Sequence, residues 1–183
     1  MRDELGATAA EAGAEGFGTL SDLRIRLVEQ LFGPLPPFVA ARAVTFALRA
    51  AGVSIGAASL FWGVPKLVGP AGVSSRLKIG TYCGFNVRAY FELEDRITIG
   101  NHVAVGQDVM FLTGAQHDQR AAVGRSAPIE IGDGVWLGAR CTILPGVKIG
   151  AGAVIGASVV VGKDVPPDVL LMGSRSLSLA KWR

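Results

Sequence analysis

The sequence predicts a repetitive β architecture, and three observations carry that prediction. Every sixth residue from Ile55 is apolar: Ile55, Phe61, Leu67, Val73, Ile79, Phe85 and Phe91. After a two-residue slip near Glu94 and Asp95 the frame resumes as Ile99, Val105 and Phe111, and from Ile131 it runs through Leu137, Ile143, Ile149, Ile155 and Val161. All sixteen positions are Ile, Leu, Val or Phe, a regularity that composition alone does not generate. Second, Gly follows the frame residue at 56, 80, 100, 106, 132, 138, 150, 156 and 162, and Val, Ala or Cys stands four residues after it at 103, 109, 135, 141, 147, 153, 159 and 165. Third, Gly accounts for 25 of 183 residues and aromatics for only 7%, so the core must be built mostly from Val, Ile, Leu and Ala.

The pattern has a mechanical reading. Side chains two apart on a strand share a face, so the frame position and the residue two before it both point inward. Gly after the frame residue, with polar residues such as Asn101, Asp133 and Lys148 beyond it, suits a corner that needs either positive φ or close backbone approach. Three such hexads close one 18-residue triangular coil. Cys141 falls on an inward position and Cys83 holds the same slot relative to Ile79, so both read as core thiols.

Composition bounds the rest. Half the residues are apolar and 18% are charged, which excludes a disordered chain. The longest uncharged run, Ala50 to Pro65, is 16 residues and carries Ser, Gly and Pro, short of the roughly 18 that a membrane span needs. The start Met1-Arg2-Asp3-Glu4 has no apolar stretch behind it, so no secretory signal is expected and the expected location is cytoplasmic. Two cysteines 58 residues apart indicate neither a zinc site nor a disulfide framework, and no metal is expected. Residues 1–16 hold Asp3, Glu4, Glu11 and Glu15 against Arg2, so the net +3 of the whole leaves +6 on the remainder. That excess suits a polyanionic small ligand, but the basic clusters and stacking aromatics of a nucleic-acid surface are missing.

Four segments are expected. Residues 1–16, rich in Ala, Gly and Glu, read as a mobile tail. Residues 17–52 read as a helical cap, with helices over Leu20 to Phe32 and Pro36 to Ala51 separated by Gly33-Pro34. Their apolar residues Leu23, Leu27, Leu31, Phe38, Val44 and Leu48 could cover the open end of the coil stack. The alternative is a membrane-surface role for the second helix, with Arg42 and Arg49. Residues 53–167 form the coils, and 168–183 are a C-terminal extension. Phe111 to Ile131 is 20 residues where one hexad needs 6, so a 14-residue insertion protrudes within 112–128. Long excursions from a regular scaffold usually carry function.

The repeat, and above all the stretch Pro128-Ile-Glu-Ile-Gly-Asp-Gly-Val-Trp136-Leu-Gly-Ala-Arg-Cys-Thr-Ile-Leu-Pro145-Gly-Val-Lys-Ile-Gly with Val161-Gly-Lys163-Asp-Val-Pro-Pro167, resembles the hexapeptide-repeat acyltransferases. The likeness covers about residues 53 to 173 and points to the maltose, galactoside and exopolysaccharide (colanic-acid-type) O-acetyltransferases. It implies a left-handed parallel β-helix of about five to six coils, a homotrimer, acetyl-CoA as donor and a carbohydrate acceptor. The hand comes from the resemblance, because parallel crossovers are right-handed as a rule.

The resemblance also implies roles for particular residues. Thr113-Gly114-Ala115-Gln116-His117-Asp118 is similar to the family's Thr-Gly-Ser-His-Asp, with one added residue, which makes His117 the general base for the acceptor hydroxyl. Asp118 either orients that ring or faces water. Trp136 would lie near the pantetheine arm, the backbone N–H of Ala139 would face the thioester oxygen, and Ala157 would offer a further backbone contact. Lys163 resembles the basic residue that meets the cofactor's phosphates. The family's closing Gly-Asn-Pro-Ala-Arg reads here Gly173-Ser174-Arg175-Ser176-Leu177, so Arg175, Lys181 or Arg183 would have to replace the missing Arg. Asn86 stands where sugar acetyltransferases place an acceptor-site Asn, and equally suits a corner. Tyr90, Glu92 and Glu94 could also face the acceptor cleft, and His102 reads as a surface residue.

Together these give an acetyl-CoA-dependent sugar O-acetyltransferase working by direct transfer. A zinc carbonic anhydrase on the same kind of coil would need three different histidines per site, and the chain has two. The remaining alternative is a non-catalytic trimeric scaffold, motivated by the added residue before His117 and the altered C-terminal motif.

Overall fold

The computed structural model describes residues 20–114 and 126–173. Three parallel sheets, with strands from Ser54 to Leu171, enclose one core. Sheet A contains Ser54–Ile55, Leu77–Ile79, Ile97–Ile99, Ile129–Ile131 and Lys148–Ile149. Sheet B contains Leu60–Phe61, Gly84–Phe85, Ala104–Val105, Trp136–Leu137, Val154–Ile155 and Leu170–Leu171. Sheet C contains Lys66–Val68, Tyr90–Glu92, Met110–Leu112, Thr142–Ile143 and Val160–Val161. The chain visits A, B and C in turn, which winds the expected left-handed parallel β-helix.

Inward positions are those the sixfold frame marks. Fifteen of the sixteen frame residues are buried and Ile55, at the first coil, is half-buried. The four core phenylalanines stack in register. Phe61 lies 4.4 Å from Phe85 and Phe91 lies 4.8 Å from Phe111 between ring centroids. Pairs of this kind contribute about 0.5–1.5 kcal/mol beyond their burial.

Coil length is less regular than three hexads. Ile55 pairs with Ile79, Ile79 with Ile99, Ile99 with Ile131 and Ile131 with Ile149, so successive coils take 24, 20, 32 and 18 residues. The first coil spends a whole hexad on a helix, α3 (Val73–Arg76), and Val73 is therefore a buried helical residue and not a strand residue. The slip near Glu94 is the 20-residue coil, and the 32-residue coil carries the 14-residue insertion. The β-helix also runs past residue 167, because Leu170–Leu171 adds to sheet B beside Val154–Ile155.

The corner glycines serve by close approach. Of the glycines that follow a frame residue, none has positive φ; that conformation falls two residues later, on Ala58, Tyr82, His102, Asp108, Arg140 and Ser158, all with φ between 56° and 61°. What Gly106 permits is seating of the next coil, since a Cβ there would lie 2.6 Å from the Ala139 nitrogen.

Two helices precede the coils: α1 (Leu20–Phe32) and α2 (Ala41–Ala50). The second starts five residues later than the sequence suggests. Pro36 and Pro37 disfavour helical geometry in the residues before them and supply no N–H, and Phe38 adopts φ 72°. Val44 and Leu48 of α2 cover the first coil, with the Thr45 hydroxyl accepting the Phe61 N–H at 3.0 Å. From α1 the covering residues are Ile25 and Val28. The expectation that Leu23, Leu27, Leu31 and Phe38 cover the coil end is overturned, because all four are exposed. No helix among the described residues is long and apolar enough to cross a membrane.

Candidate active site

The insertion leaves sheet C after Leu112 and returns to sheet A at Ile129, so it sits on the corner between those sheets. Its base is pinned by Thr113, which is fully buried. The Thr113 hydroxyl donates to the Glu92 carbonyl at 2.7 Å and accepts the Asp95 N–H at 3.0 Å. Its carbonyl accepts the Ala127 N–H at 3.0 Å, and the Gly114 N–H reaches the Glu92 carboxylate at 3.4 Å. Glu92, which the sequence offered as an acceptor-cleft residue, thus anchors the insertion. His117 and Asp118 lie outside the described residues, as do Arg175, Lys181 and Arg183.

Ala139 and Ala157 stand on the corner between sheets B and C, in successive coils, with Gln107 one coil earlier. Among the described residues, the backbone N–H groups of Gln107, Ala139 and Ala157 have no acceptor. Their neighbours do: Arg140 N–H donates to the Gln107 carbonyl and Ser158 N–H to the Ala139 carbonyl, each at 2.8 Å. On the corner between sheets A and B, side chains fill the same slot in two coils, and the N–H groups of Asp133 and Ala151 beyond them have no acceptor among the described residues. Asn101 Oδ1 accepts the Thr81 N–H at 2.9 Å and Asp133 Oδ1 accepts the Asn101 N–H at 2.7 Å. The B–C corner therefore presents a line of open amide donors at coil spacing, about 4.8 Å apart.

Trp136 points outward from sheet B with 58% of its surface exposed, between Ala104 and Val154 in the adjacent coils. Asn86 is on the same B–C corner, two coils before Gly138, and its Oδ1 accepts the Val87 N–H at 2.8 Å. Lys163 is exposed on the C–A corner, the corner of the insertion. It follows Ala157 by six positions, at most about 20 Å of extended chain. Tyr90 faces outward on sheet C, Glu94 is exposed, and His102 stacks on Tyr82 with centroids 5.1 Å apart at the A–B corner.

A concavity of about 770 Å³ lies on sheet A, lined by Arg96, Glu130, Lys148 and Asp164 among others, and none of the residues just named borders it. Its charges are balanced, with Glu130 and Lys148 paired at 3.1 Å. Both cysteines are buried; Cys83 donates to the Gly100 carbonyl and Cys141 to the Gly156 carbonyl, and burial pushes both thiol pKa values up.

The bacterial transferase hexapeptide family (six repeats) matches residues 128–163. A hexapeptide-repeat acetyltransferase from Vibrio cholerae, solved in complex with acetyl coenzyme A, is 30% identical; the match covers 93% of this chain and 87% of that one, with a TM-score of 0.65. The chain belongs to the hexapeptide-repeat acetyltransferase family. Among curated members, a galactoside O-acetyltransferase of Escherichia coli is 34% identical over 116 residues, 61% of this chain and 56% of that protein. An acetyltransferase-type protein of Schizosaccharomyces pombe is 43% identical over 90 residues, 46% of this chain and 43% of that protein. This chain thus spans about half the length of the curated family members it matches.

Proposed function

We propose that the protein is an acetyl-CoA-dependent O-acetyltransferase that acetylates a sugar hydroxyl of a glycan or glycan precursor, as a homotrimer with sites between subunits. The observation that carries this reading is the line of open amides at Gln107, Ala139 and Ala157. Fixed backbone donors of this kind stabilise negative charge on a carbonyl oxygen without reorganising at the moment of reaction. The Vibrio cholerae relative, solved with acetyl coenzyme A, and the galactoside O-acetyltransferase relative support the donor and the acceptor class.

In this mechanism the His117 imidazole takes the proton of the acceptor hydroxyl as its oxygen attacks the thioester carbonyl carbon. The Ala139 N–H donates to the oxyanion that develops there. On collapse the carbon–sulfur bond breaks, and the imidazolium returns its proton to the departing coenzyme A sulfur. Trp136 and Ala157 hold the pantetheine arm, Lys163 and Arg175 meet the phosphates, and Asn86 and Asp118 face the acceptor. The amides lie on the B–C corner and the insertion on the C–A corner, so the B–C corner of one subunit facing the insertion of a neighbour would bring them together.

The test is thiol release from acetyl-CoA with a panel of mono- and oligosaccharides, for wild type beside His117→Ala. Sugar-dependent release that falls by about 10²–10⁴-fold in the variant is expected. Undiminished turnover in His117→Ala would remove the base assignment, and coenzyme A binding without turnover on any sugar would favour a scaffold.

A further inference from the structure

The helices that open the described chain bury one face and leave a second apolar face uncovered. In α1, Leu20, Leu23, Leu27 and Leu31 recur at spacings of three and four residues, which places them on one line of the helix. That line is turned away from Ile25 and Val28, and its four side chains are 76%, 56%, 46% and 69% exposed. Exposed apolar residues continue through the turn at Leu35, Phe38 and Val39 and onto α2 at Phe46. A line of exposed leucines of this kind marks an interaction site.

Charge selects the partner. Arg24 and Arg26 flank the leucine line, and Arg42 and Arg49 lie within a turn of Phe46; all four are exposed, with Arg24 also donating to the Ala50 carbonyl at 3.4 Å and Arg49 to the Ile55 and Gly56 carbonyls at 3.0 and 2.6 Å. The two acids in the same segment are turned inward: Asp22 accepts the Gly72 N–H at 3.0 Å and Glu29 pairs with Lys66 at 3.1 Å. The outward face is therefore apolar and cationic. A two-fold contact between copies through this face would set arginine against arginine; a contact within the proposed trimer pairs unlike surfaces, and the sedimentation arm of the experiment separates it from lipid binding. At 13 residues α1 is too short to span a bilayer, and its leucine line rimmed by arginine has the form that lies in the plane of a membrane surface.

We propose that this face docks the protein onto an anionic lipid bilayer, with the leucines of α1 entering the headgroup boundary and the arginines meeting lipid phosphate. The Leu23→Gln/Leu27→Gln double variant removes apolar contact at exposed positions, and Arg24→Gln/Arg26→Gln removes charge. The experiment is flotation of the full chain with vesicles of phosphatidylcholine alone and of equal parts phosphatidylcholine and phosphatidylglycerol. Thermal unfolding and sedimentation velocity without lipid accompany it. Wild type is expected to float with the anionic vesicles and less with the neutral ones, and binding should weaken as salt is raised. Both variants should unfold at the wild-type temperature and bind roughly tenfold or more weakly. No flotation with anionic vesicles, or flotation that both variants retain, overturns the proposal. A leucine variant of smaller oligomeric size than wild type would assign the face to contact between copies and overturns it equally.

Discussion

The backbone N–H of Ala127 donates to the carbonyl of Thr113 at 3.0 Å, so the insertion returns to the residue from which it departs. The long excursion is therefore hung from one buried point of the regular coil, and the chemistry assigned to it depends on that point staying in place.

Thr113→Val keeps the shape of the side chain and removes its hydroxyl. It leaves the Asp95 N–H and the Glu92 carbonyl without a partner, and a loss of about 1–3 kcal/mol in unfolding free energy is expected. Because a small displacement of a catalytic group is costly, turnover should fall further than stability accounts for. Urea unfolding and thiol release on the same preparation check this; equal activity per folded molecule would separate Thr113 from the site.

Gly106→Ala places a Cβ 2.6 Å from the Ala139 nitrogen and 2.9 Å from its Cα, both backbone atoms that cannot swing aside. The coil must shift, at about 1–3 kcal/mol, and the Ala139 amide shifts with it. Turnover should drop while Gly84→Ala, whose Cβ meets only the Trp62 ring at 3.4 Å, remains close to wild type. Comparing kcat of the two variants tests the amide role directly.

Phe91→Ala opens a cavity in the stack that Phe85, Phe91 and Phe111 form at the centre of the coils. The expected loss is about 3–5 kcal/mol, read as a shift of the urea midpoint. A loss below 1 kcal/mol would mean that the ring stack contributes little to the core.

Two carboxylates contribute to the acid limb of stability. The N–H of Asn101 donating to Asp133, and the guanidinium of Arg88 bonded to Asp108, hold both carboxyls below the usual carboxylate range. A lowered folded-state pKa gives stabilisation that is complete above the unfolded value, near 3.9, and is lost as pH falls through the folded one. Asp133→Ala should therefore be less stable than wild type at pH 7, with the gap closing in acid below about pH 4. Unfolding midpoints across that range decide it; a gap independent of pH would assign the effect of Asp133 to packing.

The sequence by itself determined the repeat, its inward residues and the place and length of the insertion. A period of six is written residue by residue, and an inward residue must be apolar unless its hydroxyl is bonded, as in Ser59 and Thr113, because stacked coils leave no water inside. The same local logic located α1, the corner positions of Ala139 and Ala157 and the burial of both cysteines. Only the tertiary structure decided matters that depend on which coil lies above which. Val73 has the right type for a strand residue but is helical, because its hexad makes a corner. Glu92 holds the insertion because Thr113 and Gly114 arrive beside it from 21 residues away. The amides of Gln107, Ala139 and Ala157 look like those of Thr81 and Asn101 in sequence, and only the stacking of coils shows that a side chain reaches the latter pair and not the former three. Leu23 and Ile25 are equally apolar, and the fold chose between them because α2 and the first coil approach α1 from one side.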